Sequence, residues 1–130
     1  MVEIRQARGR VLKHAGDLRR AAMEMEQARE MDLQDRFVNI VSTKYLLSAG
    51  QHEDAVRVAG GFTKTGVDPE KNLDEMQALW FASRAAAAHN AAGRHGRALK
   101  KFLSMESHLR EMQSDHPSER NPNHARLINT

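Results

Sequence analysis

One short pattern occurs three times along this chain of 130 residues and limits what it can fold into. In each copy an Ala-Gly pair ends a run of helix-forming residues, and another alanine follows five residues after the glycine. Glycine takes the left-handed conformation that ends a helix without steric cost, and a small alanine early in the next helix allows close packing. The pattern therefore predicts three helix–turn–helix hairpins. The copies are Ala15-Gly16…Ala21, Ala49-Gly50…Ala55 and Ala92-Gly93…Ala98.

The spacing of these turns indicates the kind of repeat. The interval from Gly16 to Gly50 matches the length of a tetratricopeptide repeat, a helix–turn–helix unit of roughly 34 residues. The interval from Gly50 to Gly93 is longer, with the excess in the loop 63–72. Aromatic residues make up only 5% of the chain, which argues against a sheet. We predict an all-α fold of tetratricopeptide-like helical hairpins stacked as a solenoid, with about three hairpins and six helices.

The helical pattern and the capping residues give the expected boundaries. Asp17 is the expected cap of the second helix, and Asn72 or Asp74 that of the fifth. The repeat domain covers 1–114, and 115–130 is a polar tail, flexible or extended, with two of the three prolines. The six predicted helices are 2–14, 17–31, 34–48, 51–62, 73–91 and 94–114.

Large side chains at helical spacing mark the expected core. On the third helix they form an apolar stripe, and on the fifth Trp80 and Phe81 are assigned to the core rather than to a ligand site. Met25, Ala59 and Phe102 share the repeat position that usually holds a large side chain. The stripe consists of Phe37, Val38, Val41, Tyr45 and Leu46.

Residues with catalytic or metal-binding chemistry do not form a recognisable motif. There is no cysteine, and none of the seven histidines has the spacing of metal ligands. No glycine-rich phosphate loop and no nucleophile motif is present. No apolar run approaches a membrane span, and no signal peptide opens the chain. We therefore expect a soluble, intracellular protein that is not an enzyme and has no metal site.

The repeat spacing relates the positions of a group of basic residues. Arg10 and Lys44 are separated by the same interval as Gly16 and Gly50, so they occupy the same position in successive repeats. Lys13 lies on the same helix face as Arg10. In stacked hairpins the three should converge on the inner surface formed by the first helix of each repeat. Such a cluster suits a polyanion or an acidic partner. The alternative is three unrelated charges on a solvated surface.

Four stretches carry a more specific resemblance: LKHAGDLRRAA, MDLQDRFVNIVSTKYLLSAG, NLDEMQALWF and RHGRALKKF. In this order and spacing they resemble the auxiliary (large) subunit of the N-terminal acetyltransferase A complex, from about residue 5 to residue 114. Members of that family are several times longer, so the chain is similar to an internal portion of them.

The resemblance implies a function and a ligand. In that family the large subunit is a non-catalytic scaffold in the cytoplasm. It wraps around the small catalytic acetyltransferase subunit and anchors the complex at the ribosome. The family also binds inositol hexakisphosphate between its subunits. The lysines that hold it match Arg10, Lys13 and Lys44, while a fourth position, expected to be basic, is Val41.

Two other functions remain open on the residues alone. A generic tetratricopeptide adaptor would bind peptides or acidic proteins in its concave groove. Nucleic-acid binding is less favoured because aromatic residues do not alternate with the basic ones, so no specific nucleic acid is expected. The ends of a solenoid expose apolar faces, so the isolated chain could form a homo-oligomer.

Overall fold

The computed structural model describes residues 1–63, 65–75 and 78–115, and within these ranges it contains helices and turns and no strand. The all-α prediction is confirmed. The chain divides into two compact units, Met1–Glu75 and Met76–Thr130. The first unit contains α1 (Val2–His14), α2 (Leu18–Met31), α3 (Arg36–Ser48), α4 (His52–Ala59), a 3-10 turn (Gly60–Phe62) and α5 (Pro69–Glu75). The second contains α6 (Leu79–Ala91) and α7 (His95–Asp115).

The three repeated turns end their helices in the same way. Gly16, Gly50 and Gly93 have φ values of +88°, +77° and +79°. At each turn the backbone N–H after the glycine donates to a carbonyl in the last turn of the preceding helix, which is a Schellman cap. The bonds run from Asp17 to Leu12 (2.9 Å), from Gln51 to Leu46 (2.9 Å) and from Arg94 to His89 (2.8 Å).

The alanines that follow these turns are the points of closest packing. Ala21 and Ala55 are fully buried, and Ala98 is buried as well. Each lies early in the second helix of its pair, where a larger side chain would separate the two helices. The prediction made from the sequence for these alanines is confirmed.

Apolar residues of α2 and α3 form most of the core of the first unit. Met25 of α2 is buried against Gly9 of α1, the one buried residue of that helix. A Cβ atom on Gly9 would come within 2.9 Å of Met25 Cε, so the absence of a side chain there permits the contact. The buried apolar residues of these two helices are Ala21, Ala22, Met25, Ala28, Val38, Leu46 and Leu47.

Polar side chains of α3 are also part of this core. Ser42 and Thr43 have no exposed surface, and Asn39 is buried. Asn39 Nδ2 donates to the Val58 carbonyl of α4 (2.8 Å), and Thr43 Oγ1 donates to the Asn39 carbonyl (2.9 Å). These hydrogen bonds offset the cost of removing the groups from water.

The apolar stripe predicted on α3 is only partly buried. Val38 and Leu46 belong to the core, and Val41 and Tyr45 are half-buried. Phe37 is 68% exposed, so its assignment to the core was wrong. The buried face of α3 passes through Asn39, Ser42 and Thr43 instead.

The predicted helix 73–91 is wrong as a single element, and the described residues contain seven α-helices rather than six. Its first part belongs to α5, which begins earlier, at Pro69. The Asp68 carboxylate accepts from the Glu70 N–H (3.3 Å), and the Asp68 carbonyl accepts from Asn72 (2.9 Å). Asp68 therefore caps α5, since proline is favoured directly after the cap. Asn72 and Asp74 lie inside α5 and do not cap it.

The predicted cap of α2 at Asp17 is confirmed, because the Asp17 side chain accepts a hydrogen bond from the Arg20 backbone N–H (3.2 Å).

The second unit is one hairpin, in which α6 and α7 pack together. Phe81 is buried at its centre, and Trp80 is half-buried with its ring edge-on to Phe81, the centroids 5.8 Å apart. The core assignment therefore holds for Phe81, with Trp80 at the margin. Phe102, which shares the repeat position of the buried Met25, is 49% exposed.

Two further predictions concern the ends of the fold. α7 is helical through Asp115, and from residue 116 on the polar tail lies outside the described residues. Among the described helices, none combines the length and apolarity needed to cross a bilayer.

Candidate functional site

The predicted basic residues lie on α1 and α3 of the first unit. Arg10 and Lys13 are exposed on α1, and Lys44 is half-buried on α3. These three are called the basic cluster below. Because α2 packs against both α1 and α3, the two helices that carry the cluster are held by a common neighbour.

Tyr45, the residue after Lys44, is where α1 and α3 approach each other in this region. Lys13 Nζ lies 5.4 Å from the centroid of the Tyr45 ring, within the range of a cation–π interaction. Burial raises the pKa of the Tyr45 hydroxyl, and the nearby charge of Arg10 lowers it by less, so the pKa stays above its ordinary value. Two members of the cluster thus reach Tyr45 from α1. That all three bind one anion remains a prediction.

Two carboxylates of α2 are paired with arginines outside the basic cluster. Glu24 of α2 accepts from Arg5 (3.1 Å) and lies 3.4 Å from Arg8, which ties α1 to α2. Glu26 pairs with Arg29 on its own helix (2.8 Å) and accepts from Ser42 Oγ of α3 (2.6 Å).

Glu26 has an environment that favours its charged form. Burial alone would raise the pKa of the Glu26 carboxyl, but the hydrogen bonds from Arg29 and Ser42 and the surrounding positive charge outweigh it. The pKa is therefore lowered. The same hydrogen bond raises the pKa of Arg29, so both partners remain charged. This network fixes α2 against α3, the helix that carries Lys44.

An apolar surface continues from the cluster along α3. Phe37, Val41 and Lys44 are separated by four and three residues, so they lie on one face of the helix. This face is opposite the buried side formed by Ser42 and Leu46. It presents an exposed aromatic ring at one end and a cation at the other.

The sequence could have shown that Phe37 faces outward. Moving back from Phe37 by one repeat, the interval that separates Gly16 from Gly50, gives Glu3, which is an exposed position on α1. The helical spacing of apolar residues alone placed Phe37 in the apolar stripe. Comparison with the exposed position one repeat earlier would have placed Phe37 on the surface. No comparable sequence feature indicated that Tyr45 lies near Arg10 and Lys13, because this proximity depends on how α1 and α3 pack.

The side chains on this surface are suited to binding a ligand or a partner. Guanidinium and ammonium groups bind carboxylates and phosphates, and Phe37 and Tyr45 add flat apolar area. Among the described residues no group of three or more His, Asp or Glu side chains is placed to hold a metal ion.

Comparisons with known proteins agree on one family. The family model described as "N-terminal acetyltransferase A, auxiliary subunit" matches residues 1–116. The mouse protein (Mus musculus) "N-alpha-acetyltransferase 16, NatA auxiliary subunit" is 36% identical over 115 residues, which is 88% of this chain. The Arabidopsis thaliana protein "N-terminal acetyltransferase A complex auxiliary subunit NAA15" is 39% identical over 115 residues, again 88% of this chain.

A solved structure shows the same fold. It is described as "Structure of Naa15/Naa10 bound to HypK-THB", and the match has a TM-score of 0.86 at 33% identity. The match covers 89% of this chain and 18% of that chain. The chain spans 13% of the length of the two curated relatives.

Proposed function

Because the chain belongs to the family of N-terminal acetyltransferase A auxiliary subunits, we propose that it is a non-catalytic scaffold segment that binds a catalytic acetyltransferase subunit. The observation that carries the proposal is the close match of its helical hairpins to a protein solved as a Naa15/Naa10 complex. The partner would transfer the acetyl group from acetyl-CoA to the N-terminus of a nascent chain. This chain would contribute a rigid surface and no reacting group.

The surface that we assign to the partner is the outward face of α1 and α3. The basic cluster supplies positive charge beside Tyr45, and Phe37 and Val41 supply apolar contact area next to it. Interfaces of this type are strongest where an aromatic side chain and desolvated cations meet complementary groups. The partner face should therefore combine acidic side chains with an apolar pocket.

We also propose that the segment works in the cytoplasm as part of a complex docked at the ribosome, where nascent chains emerge. Family membership supports this step. Exposed arginine and lysine residues such as Arg19, Arg97 and Lys100 are compatible with contact to ribosomal RNA.

Inositol hexakisphosphate is the proposed ligand of the basic cluster. Two observations fit a polyanion there: Arg10 and Lys13 are exposed, and both act on Tyr45, next to Lys44 in the chain. At the fourth family position Val41 offers no charge, so the ligand would be held by three cations. Its role would be to link the scaffold to the partner subunit through phosphate groups.

The test is direct binding of the purified chain to the catalytic acetyltransferase subunit of the same organism. Calorimetry and size-exclusion chromatography should show a complex, and inositol hexakisphosphate should strengthen it. Lys13→Glu and Lys44→Glu should each weaken the complex by roughly tenfold or more, since each reverses a charge at the interface. Lys71→Glu, on the exposed surface of α5, is the matched control and should have little effect.

Folded chain and folded partner that do not associate, with or without inositol hexakisphosphate, would refute the scaffold proposal. Equal binding by Lys13→Glu, Lys44→Glu and Lys71→Glu would refute the assigned surface while leaving the scaffold role. Circular dichroism of each variant establishes that the helices are intact.

A second candidate is a tetratricopeptide adaptor that binds acidic peptides. The exposed Phe37 on the same face as Lys44 favours it, because an extended peptide with an apolar and an acidic residue could use both. Peptide binding that is lost in Lys44→Glu, together with unchanged binding of the catalytic subunit, would favour the adaptor.

A further inference from the structure

The turn between α6 and α7 differs from the other two repeated turns in the residues that form its cap. In the first two turns the carbonyl that accepts the capping hydrogen bond belongs to a leucine, Leu12 or Leu46, and in the third it belongs to His89. Leu46 and His89 are each only 3% exposed. An imidazole therefore occupies a repeat position that is otherwise apolar, and burial there favours its uncharged form.

Arg94 determines which ring nitrogen of His89 carries a proton. Arg94 Nε donates to His89 Nδ1 (2.9 Å), and the Arg94 backbone N–H donates to the His89 carbonyl (2.8 Å). A guanidinium group has no acceptor and stays protonated, so His89 Nδ1 must accept with its lone pair. His89 is therefore neutral in this arrangement, with its ring proton on Nε2.

A second histidine in the same turn forms the opposite kind of hydrogen bond. His95 Nδ1 lies 2.7 Å from Asn90 Oδ1, and both residues are exposed. A carboxamide oxygen only accepts, so His95 Nδ1 is the donor. Because an imidazolium donates from both nitrogens, protonation preserves the bond of His95 and removes the bond of His89.

The charged side chains along this part of the hairpin are all positive. Within the second unit α6 packs against α7, and the sequence from 78 to 105 contains no Asp or Glu. Glu106, the next acidic residue, is bonded to Arg110 (2.6 Å). A positive charge on His89 would therefore be added among like charges. The cations of this stretch are Arg84 on α6, Arg94 at the turn, and Arg97, Lys100 and Lys101 on α7.

We propose that His89 and Arg94 form a pH-sensitive switch at the α6–α7 turn, closed while His89 is neutral and opened when its ring is protonated. A proton on Nδ1 would point at the Arg94 N–H, with two donors and two positive charges in one contact. The ring can bind a proton only after the Arg94 side chain leaves it or the hairpin opens. The switch is a property of this hairpin alone and does not depend on the proposed scaffold function.

The direction of the pH effect follows from proton binding. In the open hairpin His89 is in water, where a histidine has a pKa of about 6.5. The open form therefore binds more protons below that value, and the advantage of the closed form decreases as the pH falls. From about pH 7.5 to about pH 5.5 the equilibrium constant for opening should rise by roughly tenfold.

Nitrogen NMR of the labelled chain tests the closed state directly. At about pH 7.5 the ring of His89 should be neutral with its proton on Nε2, whereas neutral His95 should carry its proton on Nδ1. Spectra of His89→Gln and His95→Gln assign the two rings, because each variant lacks one set of signals.

Hydrogen exchange tests the opening. The protection factors of the Arg94 and Ala98 backbone N–H groups, which bond to the His89 and Arg94 carbonyls, should fall by roughly tenfold over the same pH range. His89→Gln should remove this dependence, since its amide oxygen accepts from Arg94 and does not titrate. His95→Gln is the matched control and should keep the dependence. His89→Leu, which introduces the residue of the other two turns, should also remove it and covers the case of a Gln variant that loosens the hairpin.

Four outcomes would overturn the proposal. One is a His89 ring that carries its proton on Nδ1 at neutral pH, and another is a parent chain whose protection factors do not change with pH. A third is the same pH dependence in the parent, His89→Gln and His89→Leu. The fourth is a dependence that persists in the His89 variants and disappears in His95→Gln.

Discussion

Tyr45 is the only tyrosine of the chain, so its ionisation can be followed without interference from another phenol. Arg10→Gln should raise the pKa of Tyr45 further, because it removes the positive charge that stabilises the phenolate. The measurement is the ultraviolet absorbance of tyrosinate during an alkaline titration, with helix content recorded in parallel. Arg19→Gln, on the exposed surface of α2, should leave the Tyr45 pKa where it is. An unchanged pKa in Arg10→Gln would show that Arg10 does not approach Tyr45 in solution.

Two helical glycines should respond oppositely to substitution. A Cβ on Gly9 would lie 2.9 Å from Met25 Cε and 3.4 Å from the Ala21 carbonyl, whereas a Cβ on Gly96 would meet nothing within 4 Å. Gly9→Val should lower the free energy of unfolding by about 1–3 kcal/mol through overpacking. Gly96→Ala should raise it by up to about 1 kcal/mol through helix propensity. Urea unfolding measures both, and shifts of the same sign would contradict the packing assigned to Gly9.

Glu26 shows how two elements depend on one carboxylate, since it joins Arg29 of α2 to Ser42 of α3. Glu26→Gln should lower the free energy of unfolding by about 1–3 kcal/mol at neutral pH, the usual worth of hydrogen bonds to a charged group. Because the native pKa is lowered, this stabilisation is present above the unfolded pKa of about 4.3 and is lost as the pH falls through the native value.

The pH profile of that variant supplies the check. The difference in unfolding free energy between the parent chain and Glu26→Gln should be constant near neutral pH and should shrink in acid. Glu53→Gln, exposed on α4, is the control and should differ little from the parent at any pH. A Glu26→Gln effect that grew in acid would have the wrong sign for a lowered pKa.

The elements best predicted from the sequence are the turns, because their backbone requirement falls on a single residue. Gly16, Gly50 and Gly93 have positive φ, a conformation that glycine adopts readily, so the glycine in the sequence marks each turn directly. The beginning of α5 was missed because the pair Asp68-Pro69 is compatible both with a turn and with the start of a helix. A proline after an aspartate favours a turn, but proline also suits the first position of a helix.

Side-chain assignments were less predictable than the turns. Phe37 and Phe102 are apolar residues on amphipathic helices, and the helical period does not say whether an apolar face meets a neighbouring helix or solvent. Ser42 and Thr43 are buried because Glu26 and a backbone carbonyl accept their hydrogen bonds, which only the packed fold provides. For the basic cluster, the repeat offset paired Arg10 with Lys44, while the contact of Lys13 with Tyr45 required the structure.

At the scale of the whole molecule, repeat architecture explains how 13% of the length of the relatives can form an ordered fold. In stacked hairpins each repeat contacts mainly its neighbours, so stability is a sum of local terms rather than a property of the complete chain. The packing of the described helices follows this rule, because the main contacts join helices that are neighbours in the chain, such as α1 with α2 and α6 with α7.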